Sequence, residues 1–581
     1  MNQKKRLRRF PAFLTRSVLK DVVVGALLGV FAFGMIYGFS ALEVTNDQWI
    51  LSGYAEWDIQ QHYAGWVNYR QSDWAFPLGQ ANQIGFPSPR GVNISFMDSM
   101  PLLCVCWKLF DRFLPEVFQF EGLYGLTLFV LQGVAAMLLL RRFRLRFPYR
   151  ALAALFFVFS PVLIERCFRH TALASHYIIL FALLMYFRHR DTHRLPWLSL
   201  ILSVLSVGIT PYFLPMVSLI WLLIFLENTL TTQNPFPGLL FFIANIGASL
   251  ACAYTLGSVG NGYGSSREGF GYYSMNLNAV VNPYSNTDLC WSKIFPIRPQ
   301  LYGQYDGFNY LGAGVMLLLF TAIGLGLGWA VFKKWKIGSW IRRNFFLLLA
   351  MAFLTCFALS HVICYDDKEL FSIPLSGQLL ELCGTFRASS RLFYPVYYLL
   401  LLWGVVGLSR GADALITRGK KLKTRVSCGF LALFLCVQFY DLSGILLYKH
   451  QEMAEKTSKG LCIPESLLHF GAFDEFFAAE PTSSRMTAIV AAKNHLPSNC
   501  LDTNTYSPDF NVSYEHTNEI LDELSRGIAR KDVVYTTRDA RVYSDWVSQF
   551  GDRCAFYLWN MNDSRYQIWD QAYLLFFMTV K

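Results

Sequence analysis

Eleven segments of this chain run for about 17 to 22 residues with almost no charged side chain. A helix rises 1.5 Å per residue, so ~20 apolar residues cross the ~30 Å hydrocarbon core of a bilayer. With no water to bond the backbone there, a continuous apolar run has to be helical. The 581 residues are 54% apolar and only 16% charged, with a mean hydropathy of +0.32. Soluble domains are roughly 45–50% apolar and about 25% charged. A string of soluble domains and a disordered chain are excluded, and so is a mini-scaffold built on the 13 cysteines. The chain reads as mainly α, a polytopic α-helical membrane protein.

The spans fall near 22–42, 122–140, 150–167, 171–187, 196–211, 213–229, 237–257, 311–332, 344–362, 392–408 and 426–447. Lys4, Lys5, Arg6, Arg8, Arg9, Arg16 and Lys20 precede the first. That run is too long for a cleaved signal, so it reads as a signal anchor with a cytoplasmic N-terminus. Every later basic cluster then falls on the same side: Arg141 to Arg146, Arg188 to Arg194, Lys333 to Arg343 and Arg418 to Arg425. The net charge of +11 divides into −5 from Tyr448 onward and +16 before it. The basic excess belongs to cytoplasmic loops and calls for no nucleic acid.

Three regions follow: a basic cytoplasmic N-terminus (1–20), a membrane domain (21–447), and a small extracytoplasmic α/β domain (448–581) in the periplasm. In the last, Thr487 to Ala492 and Asp532 to Thr536 read as strands and Thr517 to Ala529 as a helix. The outer side also receives the loops 43–121, 258–310 and 363–391, which puts the chemistry there. Residues 100–114 carry Lys108, Asp111 and Arg112 and suit a short interfacial helix. Cysteines of the outer loops can pair in that compartment, or stay free and buried.

The first outer loop carries Gly53-Tyr-Ala-Glu-Trp-Asp-Ile-Gln-Gln-His62, with Asp98 near its end. Carboxylates among aromatic rings at a membrane surface can hold a pKa high enough to take a proton, which is what a general base needs. Asp58 is the candidate base. Glu56 would assist it, orient a neighbour, or ligate Mg²⁺ or Mn²⁺ together with Asp58; Gln61, His62 and Asp98 would contact substrate. The plainer reading is that these are ordinary wet-loop polar groups and that Asp98 caps the interfacial helix.

Cations lie on the same side. Arg166, Arg169, His170 and His176 stand between spans three and four, where they can hold a phosphate or snorkel and pair with Glu165. Arg387 and Arg391 are spaced by four and would share a face if that segment is helical. The loop 258–310, with Asn276, Asn278, Asp306, Asn309 and Tyr310, has the amide, hydroxyl and aromatic groups that grip a sugar, though mobile loops share that composition.

An acidic pair just after span one, on a multispanning chain with a later outer domain, resembles the C-type (GT-C) polytopic membrane glycosyltransferases. The motifs Trp57-Asp-Ile-Gln-Gln-His62, Phe76-Pro-Leu-Gly79, Asn93-Ile-Ser95 through Asp98-Ser-Met-Pro101, Gly307-Phe-Asn-Tyr-Leu-Gly312 and Phe386-Arg-Ala-Ser-Ser-Arg391 are similar to a bacterial membrane-protein family grouped with them. The resemblance implies an inner-membrane enzyme that transfers a sugar from a polyprenyl-phosphate-linked donor to an envelope glycan, lipid or protein acceptor, with inversion. A transporter or lipid flippase is the competing reading, but such proteins usually carry ionisable groups at the midplane. Here only His176 and Asp441 approach it. A non-catalytic envelope scaffold leaves the first-loop acids unexplained.

Overall fold

A computed structural model describes residues 15–54, 58–260, 270–285, 289–333, 337–415, 419–503, 507, 509–561 and 574–581. They are mainly helical. Eight helices are long and apolar enough to cross a membrane: Arg16–Tyr37, Glu121–Arg142, Phe147–Arg166, Thr171–Thr192, Phe213–Thr232, Pro235–Leu256, Ser389–Ala414 and Lys421–Lys459. Three of the eleven expected runs form shorter apolar helices, Ser199–Gly208, Ala313–Gly328 and Phe345–Leu359. Pro196 and Pro211 bracket the first of these, and neither can extend a helix through the position beside it.

The helices pack through small residues. Gly25, Gly29 and Gly133 let Arg16–Tyr37 and Glu121–Arg142 touch backbone to backbone. A Cβ on Gly29 would lie 2.2 Å from the Phe129 carbonyl oxygen, and one on Gly133 2.1 Å from that of Gly25. The opposite face of the first helix leaves Leu19, Val23, Leu27, Phe31 and Met35 exposed at every fourth position. Such a stripe suits hydrocarbon rather than water.

Basic loop residues gather at one end of the bundle. Buried Asp21 takes Arg141 and Arg150, each at 2.6 Å, and Arg190 reaches the Arg343 carbonyl at 2.6 Å. At the other end Tyr37 Oη donates to the Ile164 carbonyl (3.1 Å). There Phe147–Arg166 breaks at Ser160 and restarts with Pro161 as the first residue of its last turns, which aims Arg166 and the following turn at the outer loops.

The first outer loop forms the helix Asp58–Gln71 and a two-residue ladder, Gln80–Ala81 with Val92–Asn93. The Leu78 and Gly79 amides donate to the Thr255 and Leu256 carbonyls, and Asn93 Nδ2 also reaches Leu256 (2.8 Å). Two of the recurrent motifs therefore seat this loop on the end of Pro235–Leu256. Residues 100–114 hold only the eight-residue helix Pro101–Lys108 and a single turn, too short to cross ~30 Å. Lys108 is buried and donates to the Tyr69 (2.7 Å) and Ser72 (2.5 Å) carbonyls; burial lowers its pKa to about 8.

In the tail, strands Glu475–Ala478, Val533–Thr537, Leu574–Val580 and Cys554–Asn560 lie side by side in that order, the first pair parallel and the others antiparallel. Helices Arg485–Lys493, Phe510–Ser525 and Ala540–Phe550 accompany them. The run Thr487 to Ala492, expected as a strand, is helical. It is buried on every side, so it lacks the alternation of a strand, and three of its residues are alanine, the best helix former. This helix packs on Asp58–Gln71: Asn68 donates to the Ala488 carbonyl (3.1 Å) and Lys493 pairs with Asp47 (2.6 Å). Phe476, Ala488, Ile489 and Phe577 belong to the same continuous core as the membrane bundle. All thirteen cysteines are free thiols.

Candidate active site

Asp58 opens the helix Asp58–Gln71, where a carboxylate faces the positive end of the helix dipole. Its side chain is 37% exposed, and an imidazole and a guanidinium flank it: His170 Nε2 is 3.4 Å from Oδ2 and Arg485 Nη1 is 3.8 Å from Oδ1. Arg485 comes from the tail and also holds Asp502 (Nε to Oδ2, 2.5 Å). Gln61 donates to Asp502 through the carbonyl (2.9 Å) and Oδ1 (3.1 Å). Base, cation and amide thus join the first loop to the tail.

His62 stands one turn beyond Asp58 and is 1% exposed. Its ring lies 6.0 Å from that of His170, and His62, Asp98 and His170 each offer a ligand atom within 4.8 Å of the others. Asp98 sits in a left-handed turn (φ 53°) and does not cap the following helix, whose cap position is taken by Met100. Burial lowers the His62 pKa against the opposing pull of Asp98 and Asp58. Burial, with Arg391, Arg166 and Arg169 nearby, holds His170 well below its usual value, so both rings are neutral.

Behind His170 lies a buried charge cluster. Arg166, fully buried, pairs with Asp306 Oδ1 (2.7 Å) and Glu165 (3.0 Å), and donates to the Tyr394 hydroxyl (2.9 Å). Arg391 Nε reaches Asp306 Oδ2 (3.0 Å) while its guanidinium lies 4.5 Å over the Tyr212 ring. Arg169 pairs with Glu165. Burial alone would raise the Asp306 carboxyl, but Arg166 and then Arg391 outweigh it and hold it far below the carboxylate range. Three guanidiniums against two carboxylates leave one positive charge in excess.

The other expected site residues lie around or apart from this centre. His176 faces the bundle core, its Nδ1 2.8 Å from the Tyr398 hydroxyl. Arg387 precedes the helical turn at Ser389, so the shared helical face with Arg391 does not form; its guanidinium sits 5.8 Å from the Tyr273 ring. Asn309 and Tyr310 are wholly buried. Asn309 donates to the Gly307 carbonyl (3.1 Å), and Tyr310 donates to Asp441 (2.7 Å), tying its loop to the long helix. Asn276 and Asn278 bond Asp366 of the neighbouring outer hairpin. Glu56 lies outside the described residues. Arg485 and Asp502 were not foreseen, because nothing in the tail's own pattern marks a residue that acts on a loop so far away in sequence. Asp306 stood only as one polar group among many in its loop.

Residues 26–443 match the model of a domain of unknown function, DUF6311. No curated protein matches the chain. The matched stretch contains Asp58, His62, Asp98, the arginine cluster and Asp306; Arg485 and Asp502 lie beyond it.

Proposed function

The chain belongs to the DUF6311 family, whose domain has no known function, so its activity has to come from its own side chains. We propose that it is an integral membrane glycosyltransferase of C-type architecture, working on the extracytoplasmic face of the inner membrane with a polyprenyl-phosphate-linked sugar donor. In this reading the three shorter apolar helices cross the bilayer together with their flanking turns, alongside the eight long ones, the N-terminus is cytoplasmic and the tail is periplasmic. The reading rests chiefly on Asp58: a partly exposed carboxylate at the outer end of the bundle, between His170 and Arg485, beside a cluster with surplus positive charge.

Asp58 takes the proton of an acceptor hydroxyl on a glycan, lipid or protein as its oxygen attacks the anomeric carbon. The new carbon–oxygen bond forms as the bond to the donor phosphate breaks, and the lipid phosphate leaves with both electrons. Single displacement inverts the anomeric centre. The departing charge is met by Arg391, Arg169, Arg387 and Arg485. Asp306 engages Nε and Nη2 of Arg391, which leaves Nη1 for a phosphate oxygen. A neutral His170 orients Asp58 without competing for its proton.

The test compares Asp58→Asn with wild type at equal expression, alongside a deletion strain, by profiling surface glycans and lipid-linked sugars. The expected result is loss of one glycan feature in both the mutant and the deletion, with accumulation of the lipid-linked donor. Identical glycans in all three strains would overturn the assignment.

A further inference from the structure

Among the described residues, neither ring nitrogen of His62 has a hydrogen-bond partner, although the side chain is 1% exposed. A buried polar group left unpaired forfeits the bonds it made to water, so an imidazole unpaired on both edges calls for a ligand. His170 shows the same deficit on one side: its Nδ1 is buried and unpartnered while its Nε2 faces Asp58. Asp98 completes the group, and its left-handed backbone, unusual for a residue with a side chain, turns it toward the two rings.

We infer that His62, Asp98 and His170 form a binding site for a divalent first-row transition metal, with Zn²⁺ as its natural probe. Two imidazoles and one carboxylate are the donor set such ions prefer; Mg²⁺ takes oxygen ligands and fits poorly. This differs from the oxygen-only pair Glu56 and Asp58 expected from the first-loop motif. Ligand atoms sit about 2.0–2.2 Å from zinc, so a set already within 4.8 Å closes on the ion by side-chain adjustment. Asp58 Oδ2 stands 3.4 Å from Nε2 of His170, placed as carboxylates behind metal-bound histidines commonly are, where it can orient the ring and raise its basicity. Three protein ligands leave a fourth position for water or a substrate oxygen.

The site stands on its ligands and does not depend on sugar transfer. Full-length, tag-free protein in detergent is stripped with a chelator, loaded with Zn²⁺, desalted and assayed for bound metal; Co²⁺ loading provides a visible spectrum, and Mg²⁺ serves as competitor. About one zinc per chain is expected, resistant to excess Mg²⁺, with a raised melting temperature. His62→Gln, Asp98→Asn and His170→Gln should each weaken binding more than 100-fold, whereas Asp58→Asn should keep one zinc with affinity lowered ~10–100-fold. Wild type that retains no zinc, or ligand variants that bind as wild type does, would overturn the site. If His62→Gln fails to fold, the wild-type stoichiometry and the more accessible Asp98→Asn still decide. A zinc-loaded protein without transferase activity counts against the transferase alone; a protein that transfers sugar but retains no zinc counts against the site alone.

Discussion

Two clusters of charge lie back to back at the end of the bundle opposite Asp21, and they are finished to different degrees. In the inner one, Arg166, Arg391 and Arg169 each pair with Asp306 or Glu165, with one positive charge in excess and almost no exposure. In the outer one, Asp58 is held only at 3.4 and 3.8 Å, by one imidazole and one guanidinium, and among the described residues neither ring nitrogen of His62 has a hydrogen-bond partner. Buried charges must be paired during folding, because an isolated one costs several kcal/mol. The inner cluster is therefore a preset field, and the outer one is where an incoming molecule completes the bonding.

The largest separation between them is expected at Asp58. Asp58→Asn should cost on the order of 10²–10⁴ in transfer rate, the range of a lost general base, with little change in melting temperature. An equal loss of stability and activity would make Asp58 part of the scaffold. Asp306→Ala is the converse: it strands Arg166 and Arg391 in the interior, and unfolding should become easier by about 3–5 kcal/mol, read from denaturant or thermal midpoints. A mild effect there would mean that the inner cluster is open to solvent and ligand like the outer one.

Arg485→Ala should be smaller. The pair is partly exposed, such pairs contribute about 0.2–1 kcal/mol, and the rate should fall less than about tenfold. Activity should fall without loss of the inner cluster.

The smallest and slowest difference is in pH. Asp306 is held far below its usual range, so its stabilising charge is complete above ~pH 5 and is lost only as pH falls below ~4. His62 and His170 also have lowered values; unfolded, they take up protons below about 6.5. In metal-stripped protein, stability should thus decline as pH falls from 7 to 5. His170→Gln should flatten the slope of the thermal midpoint against pH; an unchanged slope would place the titration elsewhere.

The helices were legible in the sequence because hydrocarbon imposes one solution on an apolar run, and counting spans put Asp58, His62, Asp98 and His170 at one end of the bundle, where their side chains lie close together. Span length was less legible: prolines at 196 and 211 shorten one helix that hydropathy alone extends. Partner choice was not legible. Arg166 and Arg391 converge on one aspartate, and Tyr310 serves Asp441, because helix packing decides which loop polar groups meet. The helix at Thr487 to Ala492 was misread because burial on all sides erases the periodicity that separates helix from strand.

The bond between Gln61 and Asp502 joins residues 441 positions apart. At about 5–20 residues per second, the first loop is made on the order of a minute before the segment that closes over it. During that interval every membrane helix is made while the acid still lacks Arg485. Assembly order thus leaves the surroundings of Asp58 to be completed last, by the final fifth of the chain, and a protein halted before that point has the bundle without Arg485 and Asp502 against the first loop.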